Sequence, residues 1–252
     1  MPSETNLIPS IVEGRTDGPA IAGSPAPFVF FVSFPRSGHH YLVDLLDKLF
    51  GFRADYCEFY RCLAPECRVA GLPGLFRIPC HSGRRFQKNH DFGLDLPLVP
   101  RCTYVVQYRY PLESLVSLFE FRLRHGYPGR DDVPPVDTAD GWRRMAEADA
   151  VYWRRFAKKW IIRPAGRANV VRCPYEGVTA DPEAVAAVLR GIDVAVPDAD
   201  TRLAAHFAAQ KAFDFRAIET FRYFDRGFFA HLEGAVVGRD VLRGAGYQPR
   251  FA

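Results

Sequence analysis

Phe28-Val29-Phe30-Phe31-Val32-Ser33-Phe34-Pro35-Arg36-Ser37-Gly38-His39-His40-Tyr41-Leu42 is the stretch on which the fold turns. Residues 28 to 32 are an unbroken run of β-formers between Pro27 and Pro35, the pattern of a strand buried on both faces. Past the turn Ser33 to Gly38 the period changes. Leu42, Leu45, Leu46 and Leu49 fall at helical spacing, and Gly51 stands where a helix stops. The same order of strand, loop and helix returns further on. Thr103 to Gln107 reads as a strand, and Pro111 is placed to open a helix whose apolar stripe is Leu112, Leu115, Val116 and Phe119. Asn169 to Arg172 and Pro182 to Leu189 repeat it, with Asp181 as helix cap. Repeated units of this kind predict an α/β domain with a central parallel sheet flanked by helices.

Residues 1 to 26 are rich in Pro, Gly, Ser and Thr without an apolar period and are expected to form a flexible arm, leaving 27 to 252 as a single domain. Gly126 to Asp140 reads as a surface loop, and Arg143 to Ile162 as a long helix carrying Trp153 and Trp160. The chain has 252 residues, 48% hydrophobic and 25% charged, with a net charge of +4. Such a mild basic excess suits a phosphorylated ligand bound locally and argues against a dedicated nucleic-acid binder. The apolar runs fall far below the ~18 residues of a membrane span. With no charged-then-apolar leader and six cysteines, the expectation is a cytoplasmic protein with reduced thiols.

Between a strand and a helix start, Ser33 to His40 places a glycine and several donors where unpaired amides and the helix dipole attract an anion. The nucleotide-hydrolase loop G-x-x-x-x-G-K-[ST] is not met. With Gly38 as its second glycine, Ser33 replaces the first, His39 the lysine and His40 the hydroxyl residue. Phosphate or sulfate is therefore the expected guest, without the support for ATP and magnesium that the full loop gives.

Four segments resemble the PAPS-dependent sulfotransferases, enzymes that use 3′-phosphoadenosine 5′-phosphosulfate. The family's phosphosulfate loop, aromatic-Pro-Lys/Arg-Ser-Gly-Thr-Thr-Trp-Leu, is matched by Phe34 to Leu42. Its Arg-Asn-Pro-x-Asp-x-x-x-Ser signature is similar to Arg109 to Ser117, its Lys-Thr-His to Lys88-Asn89-His90, and its Val-x-Tyr-Glu-Asp segment loosely to Val171 to Glu176. The four stand in family order. His39 and His40 replace the two hydroxyl residues, Tyr41 replaces the Trp, and Tyr175 is displaced by two residues.

The resemblance implies a three-layer architecture like that of P-loop nucleotide kinases, and sulfuryl transfer from PAPS to a hydroxyl or amine with PAP as product. His90, with an ordinary pKa near ~6.5, suits the base. Lys88 and Arg36 would meet charge on the transferred group and the departing oxygen. Pro35, Arg36, Ser37, Gly38, His39, His40 and Tyr41 would cradle the donor. Arg109 and Ser117 would hold its 3′-phosphate, Tyr41 and Tyr175 its adenine, and Arg226 with Gly227 faintly marks the family's last nucleotide loop.

No metal is expected to be required. The acceptor is expected to be a small molecule or carbohydrate, its pocket built from Phe52 to Ser82 and His125 to Asp140, whose composition does not tell a sugar from a phenol, lipid or peptide. A nucleotide or nucleoside kinase, or a catalytically silent nucleotide-binding member, are the competing readings. Cys57, Cys62, Cys67, Cys80 and Cys102 fall between the first two strands read above. Their spacing lacks a C-x₂-C knuckle, so separate buried thiols are preferred over a zinc site or disulfides.

Overall fold

A computed structural model describes residues 28–58, 84–98, 100, 102–127, 134–196, 198–210 and 217–252. The arm 1–26 and Cys62, Cys67 and Cys80 lie outside them, as do 59–82 of the first acceptor loop and 128–133 of the second. Strand β1 (Phe28–Ser33) runs into helix α1 (His39–Phe50), which stops at Gly51 in the left-handed region. Strands β2 (Tyr56–Cys57), β3 (Phe86–Asn89) and β4 (Cys102–Tyr108) follow, then α2 (Pro111–His125) and α3 (Ala139–Phe156), which continues as a π-helical turn, Ala157–Ile162. Beyond lie β5 (Val170–Pro174), α4 (Tyr175–Ala180), α5 (Pro182–Gly191), α6 (Ala199–Ala209) and α7 (Arg226–His231). A second π-helical stretch, Leu232–Gly238, leads into α8 (Arg239–Gly244).

The five strands form one all-parallel sheet in the order β2-β3-β1-β4-β5. Alternate residues of β1 serve opposite layers. Phe30 and Val32 pack with Tyr104, Val106, Leu115, Trp142, Trp153 and Trp160 beneath α2 and α3. Val29 and Phe31 pack with Val105, Leu42, Leu46, Val185 and Leu189 beneath α1 and α5. This is the parallel sheet flanked by helices expected from the repeated strand and helix units, in three layers. The long helix begins earlier than the sequence reading had it: Thr138 accepts from the Gly141 amide, so Ala139 and Asp140 belong to α3 and not to the preceding loop. β2 is too short for periodicity to reveal. No helix among the described residues is long and apolar enough to cross a membrane.

From β1 the chain crosses to β2 and β3 on one side, then from β3 over to β4 and β5 on the other. The winding thus reverses between β1 and β4, and in open parallel sheets the crevice at the carboxyl ends of two such strands is where ligands bind.

Candidate functional site

Ser33 to Gly38 leaves β1 at that crevice. Arg36 has φ 65° and Gly38 φ 77°. A non-glycine residue in the left-handed region costs roughly 1–2 kcal/mol, a strain that the neighbouring structure must over-determine. Arg36 Nε donates to Ser117 Oγ on α2 at 3.2 Å, and its guanidinium lies 4.7 Å from the centre of the Phe121 ring. Partial burial and the charges of Arg124 and Arg109 draw the Arg36 pKa down from its usual value, so both guanidiniums lie within electrostatic reach of Arg36. Gly38 needs its missing side chain. A Cβ there would lie 2.1 Å from Cδ2 of Tyr175, so the tyrosine reaches across the end of β4 and lies on the loop.

Helix α1 has neither a side-chain cap nor an acidic residue in its first turn. Ser37 Oγ, at the entry to the helix, is buried with no hydrogen-bond partner. His39 is not at the surface of this loop. It is buried, bonds the Tyr56 hydroxyl through Nε2 at 2.5 Å, and is held neutral, first by burial and then by the nearby charge of Lys88.

Parallel pairing of β1 with β3 sets Val32 against Asn89, which brings His90 beside Ser33. His90 Nδ1 donates to the Ser33 carbonyl at 2.7 Å. A carbonyl only accepts, so the proton sits on Nδ1 and the lone pair on Nε2. Burial first, and the charge of Lys88 second, lower the His90 pKa to about 4.

Lys88, two residues earlier, shares the His90 face of the strand. It is almost fully buried, and its Nζ donates to Glu58 Oε1 at 3.0 Å and to His40 Nε2 at 3.3 Å. Asp91 is turned away from His90. Its carboxylate takes Lys159 Nζ at 2.7 Å, Trp160 Nε1 at 2.7 Å and the Leu96 amide at 2.8 Å. It anchors the loop while Tyr152 donates to the His90 carbonyl at 2.7 Å.

Arg109 leaves β4 with Nη2 2.9 Å from Glu113 Oε2 and its guanidinium 4.9 Å from the Tyr175 ring. The sequence reading put Arg109 and Ser117 on one shared anion. In the structure Ser117 pairs with Arg36 and Arg109 with Glu113. Tyr41 and Tyr175 meet edge to face, their rings 6.2 Å apart at 86°, and do not form two parallel walls. Arg226 and Gly227 open α7, where the Arg226 guanidinium lies 5.9 Å from the Phe251 ring. Their contacts run to Phe251 and Asp225, away from the loop after β1.

Three residues at the crevice went unread in the sequence: Glu58, Glu113 and Arg250. Glu113 was legible as the carboxylate four residues past Arg109 on one helix face. Glu58 and Arg250 carry no local signal and are brought in by tertiary folding alone. Cys57, Cys102 and Cys173 are buried on β2, β4 and β5, and burial pushes the Cys173 thiol up to about 12. No group of three His, Cys, Asp or Glu side chains among the described residues is placed to hold a metal ion.

Fold and site together define a parallel α/β protein with a cationic crevice at the switch point of its sheet. No protein-family model and no curated protein matches the chain.

Proposed function

We propose that the protein is a PAPS-dependent sulfotransferase. The observation that carries this reading is convergence: four segments spread from residue 34 to residue 176 meet at one sheet edge. His90 bonds the Ser33 carbonyl, Arg36 bonds Ser117, and the Tyr175 ring lies against Gly38 and Arg109. The amino-terminal end of α1, the glycine that opens it and the buried Ser37 hydroxyl fit a phosphate group of the donor. The acceptor hydroxyl attacks sulfur in line as its proton passes to His90 Nε2. The new S–O bond forms while the bond from sulfur to the phosphate oxygen of PAP breaks, and Arg36 and Lys88 meet the charge that develops. Arg109 holds the 3′-phosphate, and the transfer proceeds without a metal.

Titration calorimetry tests the donor assignment. PAP should bind in preference to both adenosine 5′-phosphate and ATP. Arg109→Ala should weaken PAP roughly tenfold or more while leaving adenosine 5′-phosphate little changed, because a charged hydrogen bond is worth ~1.5–3 kcal/mol. Equal weakening of both nucleotides removes Arg109 from the 3′-phosphate, and a preference for ATP favours a kinase. Turnover with labelled PAPS separates an enzyme from a silent binder.

A further inference from the structure

Arg250 reaches the crevice from the far end of the described chain. Its Nη1 donates to Glu113 Oε1 at 2.6 Å, and its guanidinium lies 4.0 Å from the centre of the Tyr110 ring. Arg109 holds the other oxygen of the same carboxylate at 2.9 Å. Glu113 thus bridges the guanidiniums of Arg109 and Arg250 beside the mouth of the switch-point crevice. A carboxylate bridged by two arginines also marks a geometry that a phosphate, with more oxygens and more charge, satisfies better.

What brings Arg250 there is a buried glutamate. Glu233 lies in the π-helical stretch before α8 and is fully buried. Its carboxylate accepts the backbone amides of Arg250 at 3.0 and 3.1 Å, Phe251 at 2.7 Å and Ala252 at 2.9 Å. Phe251 packs on Phe224 and Phe229, with ring centres 5.7 Å away in each case. A second fastening lies just upstream. Tyr247 donates its hydroxyl to Glu176 Oε2 at 2.8 Å, and the other Glu176 oxygen accepts the Tyr110 amide at 2.9 Å. The tail is thus tied at Tyr247 and again at 250–252, with the Arg250 side chain directed to Glu113.

We propose that Arg250 is a ligand-binding residue, a second guanidinium that joins Arg109 on a phosphate group of the ligand, and that Glu233 is the positioning residue that delivers it. The inference deepens the donor reading and rests on it only for which phosphate ester is bound.

The full chain would be titrated with inorganic pyrophosphate, PAP and adenosine 5′-phosphate, as wild type, Arg250→Ala, Arg250→Lys, Glu233→Gln and the Arg250→Ala/Glu233→Gln double variant. Arg250→Ala should weaken pyrophosphate and PAP by roughly tenfold, with partial recovery in Arg250→Lys. Glu233→Gln should weaken both to a similar extent. The double variant should bind no more weakly than Arg250→Ala alone, because the glutamate acts through the arginine. Losses that add, or a Glu233→Gln protein that melts earlier with affinity intact, reduce Glu233 to a purely structural role and overturn its part of the proposal.

If Arg250→Ala binds both ligands like wild type while Arg109→Ala does not, the tail proposal falls and the donor site stands. If Arg250→Ala weakens pyrophosphate but wild type binds PAP and adenosine 5′-phosphate alike, the tail proposal stands and the PAPS reading falls. Wild type that binds neither pyrophosphate nor PAP overturns both. Should Glu233→Gln fail to fold, the two Arg250 variants still decide the arginine.

Discussion

Replacing His90 with alanine is expected to lower turnover by ~10²–10⁴-fold while leaving PAP affinity nearly unchanged, the range for loss of a positioned base. The geometry supplies the reason. With its Nδ1 proton given to the Ser33 carbonyl, the ring orientation is set by the end of β1, and the lone pair that would take the acceptor's proton in the proposed transfer is on Nε2. The variant loses that base and keeps every charge that meets the donor.

Arg36 and Lys88 substitutions should behave differently and lower turnover and PAPS binding together. Slow hydrolysis of PAPS serves as the assay until an acceptor is found. The pH profile is a second readout. Because burial lowers the His90 pKa to about 4, the imidazole is neutral throughout the neutral range, so kcat/KM should hold steady into mild acid and fall only towards pH 4. A base with the ordinary pKa of ~6.5 would lose activity near that value.

The same depression makes stability pH-dependent. The unfolded chain binds a proton at His90 below ~6.5 that the folded protein refuses down to about 4, so this contribution is complete above the first value and lost as pH falls through the second. His39, shifted in the same direction, adds to the loss. Rates in acid are therefore to be compared only where circular dichroism reports an intact fold. Near-normal transfer by His90→Ala across pH would place the base elsewhere. His40 is then next in line, since Asp91 is bound to Lys159 and Trp160.

Gly38→Ala carries the second large effect, on stability. The substitution demands φ 77° from a residue with a Cβ, at roughly 1–2 kcal/mol. It also drives that Cβ to 2.1 Å from the Tyr175 ring, and overpacking of this sort costs typically ~1–3 kcal/mol. Tyr175 can yield only by leaving the Arg109 guanidinium. The melting temperature should fall by on the order of 10 °C, and PAP affinity should fall with it because the loop and the adenine-side tyrosine shift together. The Gly38→Ala/Tyr175→Ala double variant separates the two causes: it should recover the steric part and keep the backbone part. A Gly38→Ala protein that melts like wild type would mean that Tyr175 does not rest on the loop.

How much of this was legible follows from the range of the forces involved. Strand β1, its loop and helix α1 are set by neighbours in sequence: an apolar run between prolines, a glycine able to take positive φ, leucines at helical spacing. Such signals act over a few residues and are read without tertiary context. His90, Lys88, Arg36 and Arg109 were legible as residues of the right kind at strand ends, because a parallel sheet delivers its carboxyl ends to one edge. Their partners were not. Arg109 and Ser117 were read as holding one 3′-phosphate; in the structure Ser117 bonds Arg36 and Arg109 bonds Glu113. Arg226 and Gly227 were assigned to the ligand and lie instead against the tail and the cap of α7.

The sequence by itself determined an α/β protein with a strand, a glycine-containing loop and a helix at its centre, since hydrophobic period and turn chemistry are local properties. Only the tertiary structure decided the strand order that opens the crevice between β1 and β4, the burial that keeps His90 neutral, and the contacts of Glu58, Glu113 and Arg250. Pairings across 30 to 140 residues, such as Lys88 with Glu58 or Arg250 with Glu113, depend on which apolar faces are buried against which. That is a property of the packed chain as a whole, and no short window of residues contains it.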